Sequence, residues 1–167
     1  MVIVTGSGNQ GITASVPVIR YAKHIGASDE RLYRALLVSD LVTIHQKTGI
    51  GRLSAYCGAV SAGAGIAYLL GGDYRAIAHT IVNAVAILSG TICDGAKPSC
   101  AAKIASAVEA GILGYYMYVN DQQFRGGDGI VAKGVENTIR NVGLLASQGM
   151  KQTDRVILNI MTGDQCL

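Results

Sequence analysis

Tryptophan is absent from this 167-residue chain, phenylalanine occurs once, proline twice, and only 15% of residues are charged. Without large rings, a core has to be filled by small aliphatic side chains, and 22 glycines in a half-hydrophobic composition supply them. Small faces let helices approach closely, and the length suffices for one domain with a real core. No run of Lys and Arg stands out at a formal charge of +3, which sets aside a nucleic-acid surface. The start, MVIVTGSGNQ, has neither a basic segment nor a long apolar stretch. It is not a secretory signal, so the expected compartment is the cytoplasm. The longest uncharged run, Leu53 to Gly72, is nominally long enough for a bilayer. It is rich in Gly, Ala and Ser, poor in Leu and Ile, and flanked by no basic asymmetry. It reads as a buried helix at the centre of a bundle, and no membrane association is expected.

No strand-like alternation is convincing. Val2 to Val4 reads as a short extended segment, followed by a Gly-rich turn, Thr5 to Gly11. That turn opens a helix carrying Ile12, Val16, Ile19 and Tyr21, with Pro17 inside it or marking its first turn. Ser28 is an N-cap candidate for a second helix reaching about Lys47 on Leu32, Ala35, Leu36, Val38, Leu41, Val42 and Ile44. A third runs from about Ser54 to Leu70. Asp73 caps a fourth through Ile77, Ile81, Val85 and Leu88. Further helices are expected from about Ala101 to Val119, Val131 to Met150, and Thr153 to Met161, the last capped by Thr153 and Asp154. The predicted fold is all-α: a compact bundle of about six to seven helices around a Gly/Ala-rich one.

Cys57, Cys93, Cys100 and Cys166 are unlike a disulfide framework in a reducing cytosol. Buried thiols, a metal or cluster site, and a catalytic thiol remain as readings. Cys93 and Cys100 bracket a loop just before a helix, whose free N–H groups favour thiolate, the form that ligates iron. The spacing is neither a C-x-x-C pair nor a zinc-ribbon or ferredoxin run. Gly8, Asn9, Gln10 and Gly11 lie in a stretch suited to cradling an anion, or to a plain helix entry. His24 is placed near a helix end, His45 near the end of the second helix, and His79 on the fourth; a lone helical histidine is commonly structural. Lys97 lies between two candidate ligands.

The segments VTGSGNQGITASVPV, RLSAYCGAVSAGAG, GTICDGAKPSCAAKIA and GMKQTDRVILNIM, in this order and spanning nearly the whole chain, resemble the L-cysteine desulfidase family. That family is related to the α chain of iron–sulfur L-serine dehydratases. The resemblance implies an oxygen-sensitive 4Fe–4S cluster, no pyridoxal phosphate, and β-elimination from L-cysteine to pyruvate, ammonia and sulfide. L-serine is the alternative substrate. It implies Cys57, Cys93 and Cys100 as cluster ligands, with one iron open to act as a Lewis acid. Gly8, Asn9, Gln10 and Gly11 are then expected to bind the substrate carboxylate. Lys97, His79 and His45 are candidates for the base that takes the Cα proton, and Cys166 for a tail ligand. Family members carry a large region before the Gly-rich segment, at which this chain begins. A partner chain supplying that half, or a homo-oligomer, is therefore expected to cover apolar helix faces; a cluster-binding fragment inactive alone is a further alternative.

Overall fold

A computed structural model describes residues 8–50, 54–92 and 97–163, with the side chains of residues 8, 50 and 54–57 outside that description. The expected extended segment Val2 to Val4, together with Cys93 and Cys166, lies outside the described residues. The described residues form seven α-helices and no strand: α1 (Gly8–His24), α2 (Asp29–Ile50), α3 (Ser54–Leu69), α4 (Tyr74–Leu88), α5 (Pro98–Val119), α6 (Val135–Leu144) and α7 (Lys151–Thr162). A π-helical turn, Leu145–Gly149, separates α6 from α7. Among the described residues, no helix is long and apolar enough to cross a membrane.

Helix α3 is the axis. Every residue from Gly58 to Ala67 is buried, and α1, α2, α4 and α5 all pack on it. Its composition permits this. A Cβ on Gly63 would lie 2.5 Å from Gly111 Cα, and one on Gly65 would lie 2.9 Å from both the Ala35 carbonyl oxygen and Val18 Cγ2. Neighbouring backbones occupy the space that side chains would need.

Helix directions follow from the contacts. Gly58 faces Gln10 and Thr13 while Gly65 faces Val18, so α1 runs parallel to α3. The short turns 25–28 and 70–73 reverse the chain into α2 and α4. Gly71 takes a φ of 86° in the second turn, and Asp73 caps α4 by accepting from the Ala76 N–H at 2.9 Å. Gly114 packs on Thr80 and Asn83, while Tyr118 stacks on His79, so α5 is antiparallel to α4 and parallel to α3. The N-terminal ends of α1, α3 and α5 therefore gather at one end of the bundle, with the C-terminal ends of α2 and α4.

Buried Asn83 ties the opposite end. Its Nδ2 donates to the Gly114 carbonyl at 3.0 Å, and its Oδ1 accepts from the Phe124 N–H at 3.0 Å. Asn83→Ala removes a partner from the buried Gly114 carbonyl and from the partly buried Phe124 N–H and leaves a void. A loss of about 2–4 kcal/mol in urea unfolding is expected, and a loss below about 1 kcal/mol would mean that water replaces the amide.

Several boundaries differ from the sequence reading. Gly8 to Gly11 lie inside the first turn of α1 instead of in a loop before it. Helix α5 starts at Pro98, whose fixed φ and missing N–H suit a first turn, so Cys100 is helical. The helix expected from Val131 starts at Val135, because Gly134 adopts φ 91°. Helix α7 starts at Lys151 after Met150, with no side-chain cap from Thr153 or Asp154. On α1 the buried face is Ala14, Val18 and Ala22, whereas Ile12, Val16 and Ile19 are exposed. Only the small face lets α1 lie close to α3. Tyr33, Leu37, Leu41 and Ile44 likewise form an exposed apolar stripe on α2.

Candidate functional site

Three helix N-termini converge at the end where α1, α3 and α5 begin. Each adds the partial positive charge of a helix N-terminus, and none carries an acidic residue in its first turn to offset it. Thiolates and carboxylates are favoured there.

Cys57 occupies the first turn of α3 and Cys100 the first turn of α5. Cys100 is 7% exposed and in no disulfide. The chain leaves α4 at Leu88 and reaches Lys97 at this same end, with Cys93 to Ala96 between them outside the described residues. Among the described residues, no three His, Cys, Asp or Glu side chains converge as a metal site. That finding does not include the side chains of Cys57 and Cys93.

The first turn of α1 borders this end. A Cβ on Gly58, next to Cys57, would lie 3.0 Å from the Gln10 carbonyl oxygen. Asn9, Thr13 and Pro17 form a shallow groove of about 220 Å³ with Ala101 and Ile104, so α1 lies against the turn that holds Cys100. Asn9 is exposed. Gln10 is fully buried, and among the described residues neither of its amide atoms has a hydrogen-bond partner. Such a group costs about 1–3 kcal/mol unless something pairs with it.

The sequence reading missed Gln46 and Lys47. Gln46 is fully buried, and its amide is also unpartnered among the described residues; Lys47 is 5% exposed. Gly65 faces Ser39 across antiparallel helices, so Gln46, about two turns further along α2, is level with Gly58. The signal was available: two polar residues continue the small, inward-facing positions Ala35, Ser39 and Thr43 of α2. Gln46→Met keeps the volume and removes two unsatisfied polar atoms. The ligand-free chain should gain about 1–2 kcal/mol in urea unfolding, and a clear loss would show that the amide has partners.

Lys97 is the N-cap residue of α5, with an exposed side chain. It borders a hollow of about 440 Å³ with Ile157, Ile160 and Met161, so α7, which leads toward Cys166, reaches this end as well. His45 does not stand free: its Nε2 lies 2.7 Å from Glu136 Oε2. His79 is not brought to this end. It lies nine residues before Leu88, a rise of about 13 Å along α4, and stacks on Tyr118 at 5.0 Å.

Residues 1–159 match the family model described as serine dehydratase alpha chain. The chain is 66% identical over 170 residues to a UPF0597 protein of Desulfitobacterium hafniense, covering 99% of this chain and 39% of that protein. It is 52% identical over 164 residues to a UPF0597 protein of Treponema denticola, covering 96% and 38%. A UPF0597 protein of Fusobacterium nucleatum is 51% identical over 162 residues, with 95% and 38% covered. The chain thus spans about two-fifths of the length of these curated relatives. No solved structure matches.

Proposed function

This chain belongs to the serine dehydratase alpha chain family, and from that membership we propose that it is the cluster-binding part of an iron–sulfur lyase. The reaction proposed is β-elimination from L-cysteine: L-cysteine and water give pyruvate, ammonia and hydrogen sulfide. The observation that supports this reading best is the convergence of three helix N-termini, none with an acidic residue in its first turn, on the turns that carry Cys57, Cys100 and the buried Gln10, whose amide has no partner among the described residues.

The donor set fits a 4Fe–4S cluster. Thiolates are its usual ligands, and the helix N-termini lower the cost of thiolate charge. In this reading Cys57, Cys93 and Cys100 hold the cluster, which when bound supplies a Lewis-acidic iron for the departing sulfur. The first turn of α1 takes the substrate carboxylate through its N–H groups and Asn9, while the amides of Gln10 and Gln46 orient the amino acid. Lys97 Nζ is the group proposed to take the Cα proton, because His79 lies too far along α4 and His45 is engaged by Glu136.

Two findings favour a requirement for further protein. The chain covers 39% of its Desulfitobacterium relative, and Leu37 and Leu41 on the α2 stripe are about 60% exposed. A partner carrying the remaining portion would cover that stripe. L-serine is the competing substrate, since elimination of hydroxide needs the same parts. Anaerobic assays of pyruvate with L-cysteine and L-serine, by the chain alone and mixed with the remaining portion of a relative, separate these readings. Sulfide and pyruvate in equal amounts from L-cysteine support the proposal. Pyruvate from L-serine alone would replace the substrate, and no turnover in either mixture would remove the lyase.

A further inference from the structure

A second concave site lies at the far end of the bundle, where α4 and α6 begin and residues 120–134 connect α5 to α6. Its volume is about 570 Å³, within the range of small-molecule sites. Arg75, Arg125 and Lys133 line it, and among the described residues no Asp or Glu does. We propose that this hollow binds a small dianion, specifically a phosphate ester that also carries a hydroxyl group.

The cations have no other occupation. Among the described residues, none of the three side chains makes an ion pair. The nearby carboxylates are engaged: Asp73 accepts from the Ala76 N–H, Asp128 from the Arg125 N–H, and Glu136 faces His45. Three exposed like charges around one hollow raise the local positive potential, which attracts an anion.

The backbone adds to this. Gly134 begins α6 at φ 91°, and no side chain caps the helix, so the first-turn N–H groups remain available to phosphate oxygens. A Cβ on Gly126 would lie 3.0 Å from the Lys133 N, so the connection folds back tightly and sets Arg125 near Lys133.

Two buried polar atoms point to a ligand with its own hydrogen-bonding groups. His79 Nδ1 and Gln123 Oε1 are buried without partners among the described residues, and both residues line the hollow. Gln123 Oε1 is an acceptor and requires a donor, which the carbon-borne hydroxyl of an ester provides while all its terminal phosphate oxygens face the cations; hydrogen phosphate has to turn its single O–H, one of those oxygens, to the amide. Burial, then the Arg75 charge, lower the His79 pKa, which leaves a neutral imidazole with one acceptor nitrogen. The concave shape fits a metabolite better than a lipid surface or a nucleic-acid backbone, both of which need an open basic face.

The test is an amide NMR titration of the 167-residue chain with glycerol 3-phosphate, inorganic phosphate and succinate, at constant ionic strength. Glycerol 3-phosphate should saturate shifts at Gly126, Gly127, Gly134 and Val135, and bind more tightly than inorganic phosphate. Arg125→Ala with Lys133→Ala should weaken it by at least about tenfold, since both side chains are exposed and the fold does not depend on them. Gln123→Met should abolish the preference for the ester. Shifts that fail to saturate by about 20 mM, or that persist unchanged in the double variant, overturn the site. Succinate binding as tightly as the ester overturns the phosphate assignment. Iron loading plays no part in the readout, so this result and that of the lyase assay are independent.

Discussion

Anaerobic reconstitution with iron and sulfide should turn the wild-type chain brown, with about four irons per chain, while Cys100→Ala and Cys57→Ala stay near background. The expectation for Cys100 rests on its place. It is buried in the first turn of a helix that starts with Pro98 and has no acidic residue in that turn. The positive end of the helix favours a thiolate at this place, while burial disfavours a bare charge unless a cation holds it. A purely structural thiol makes a different prediction. Replacing a small buried hydrophobe by alanine would cost about 1 kcal/mol, with no effect on iron. Circular dichroism and urea unfolding of each variant separate the two cases. Loss of iron at unchanged helicity identifies a ligand. Full iron in Cys100→Ala would remove that residue from the set, and a colourless wild type would remove the cluster from this chain.

The second large effect is expected at the crossing of α3 and α5. Gly63→Ala puts a methyl group 2.5 Å from Gly111 Cα and 3.0 Å from its carbonyl carbon. Both atoms belong to helix backbone, so no side chain can swing aside, and the helices themselves have to separate. A loss of about 3 kcal/mol or more is expected, at or above the upper end for overpacking. The same separation moves Cys57 away from Cys100, one on each helix, so iron retention should fall along with stability. Gly49→Ala is the matched control. Among the described residues a Cβ there meets nothing within 4 Å, and the residue is inside α2, so the substitution should be neutral or add about 0.5–1 kcal/mol. Equal urea midpoints for Gly63→Ala and wild type would mean that α3 and α5 do not touch at these glycines.

Much of the fold was legible because helical signals here are local. Asp73 reads as an N-cap and is one, and the uncharged Ser54 to Leu70 run reads as a buried axis, which Gly58 to Ala67 form. Boundaries were harder where local signals competed. Thr153 and Asp154 resemble a cap, yet α7 starts at Lys151, and a left-handed glycine at 134 outweighs the apolar pattern from Val131. The α1 surface inverted a simple expectation. Size, not hydrophobicity, selects the inward face when the neighbour is a glycine-lined helix, so Ala14 and Ala22 are buried while Ile12 and Ile19 are not.

For the site, residue types in sequence were enough to nominate the thiols, the Gly-rich turn and Lys97, because each carries its chemistry in its own side chain or backbone. Sequence alone also determined that the chain is helical and packed on small residues, since those follow from composition and period. Which residues share an end of the bundle was decided only by the tertiary structure. The alternation of helix direction brings Gln10, Gln46 and Lys47 to the level of Cys57 and carries His79 away. It also closes Arg75, Arg125 and Lys133, separated by up to 58 positions in the chain, around one hollow. Helix direction and register are set by backbone contacts between glycines far apart in sequence, and no local pattern encodes those distances.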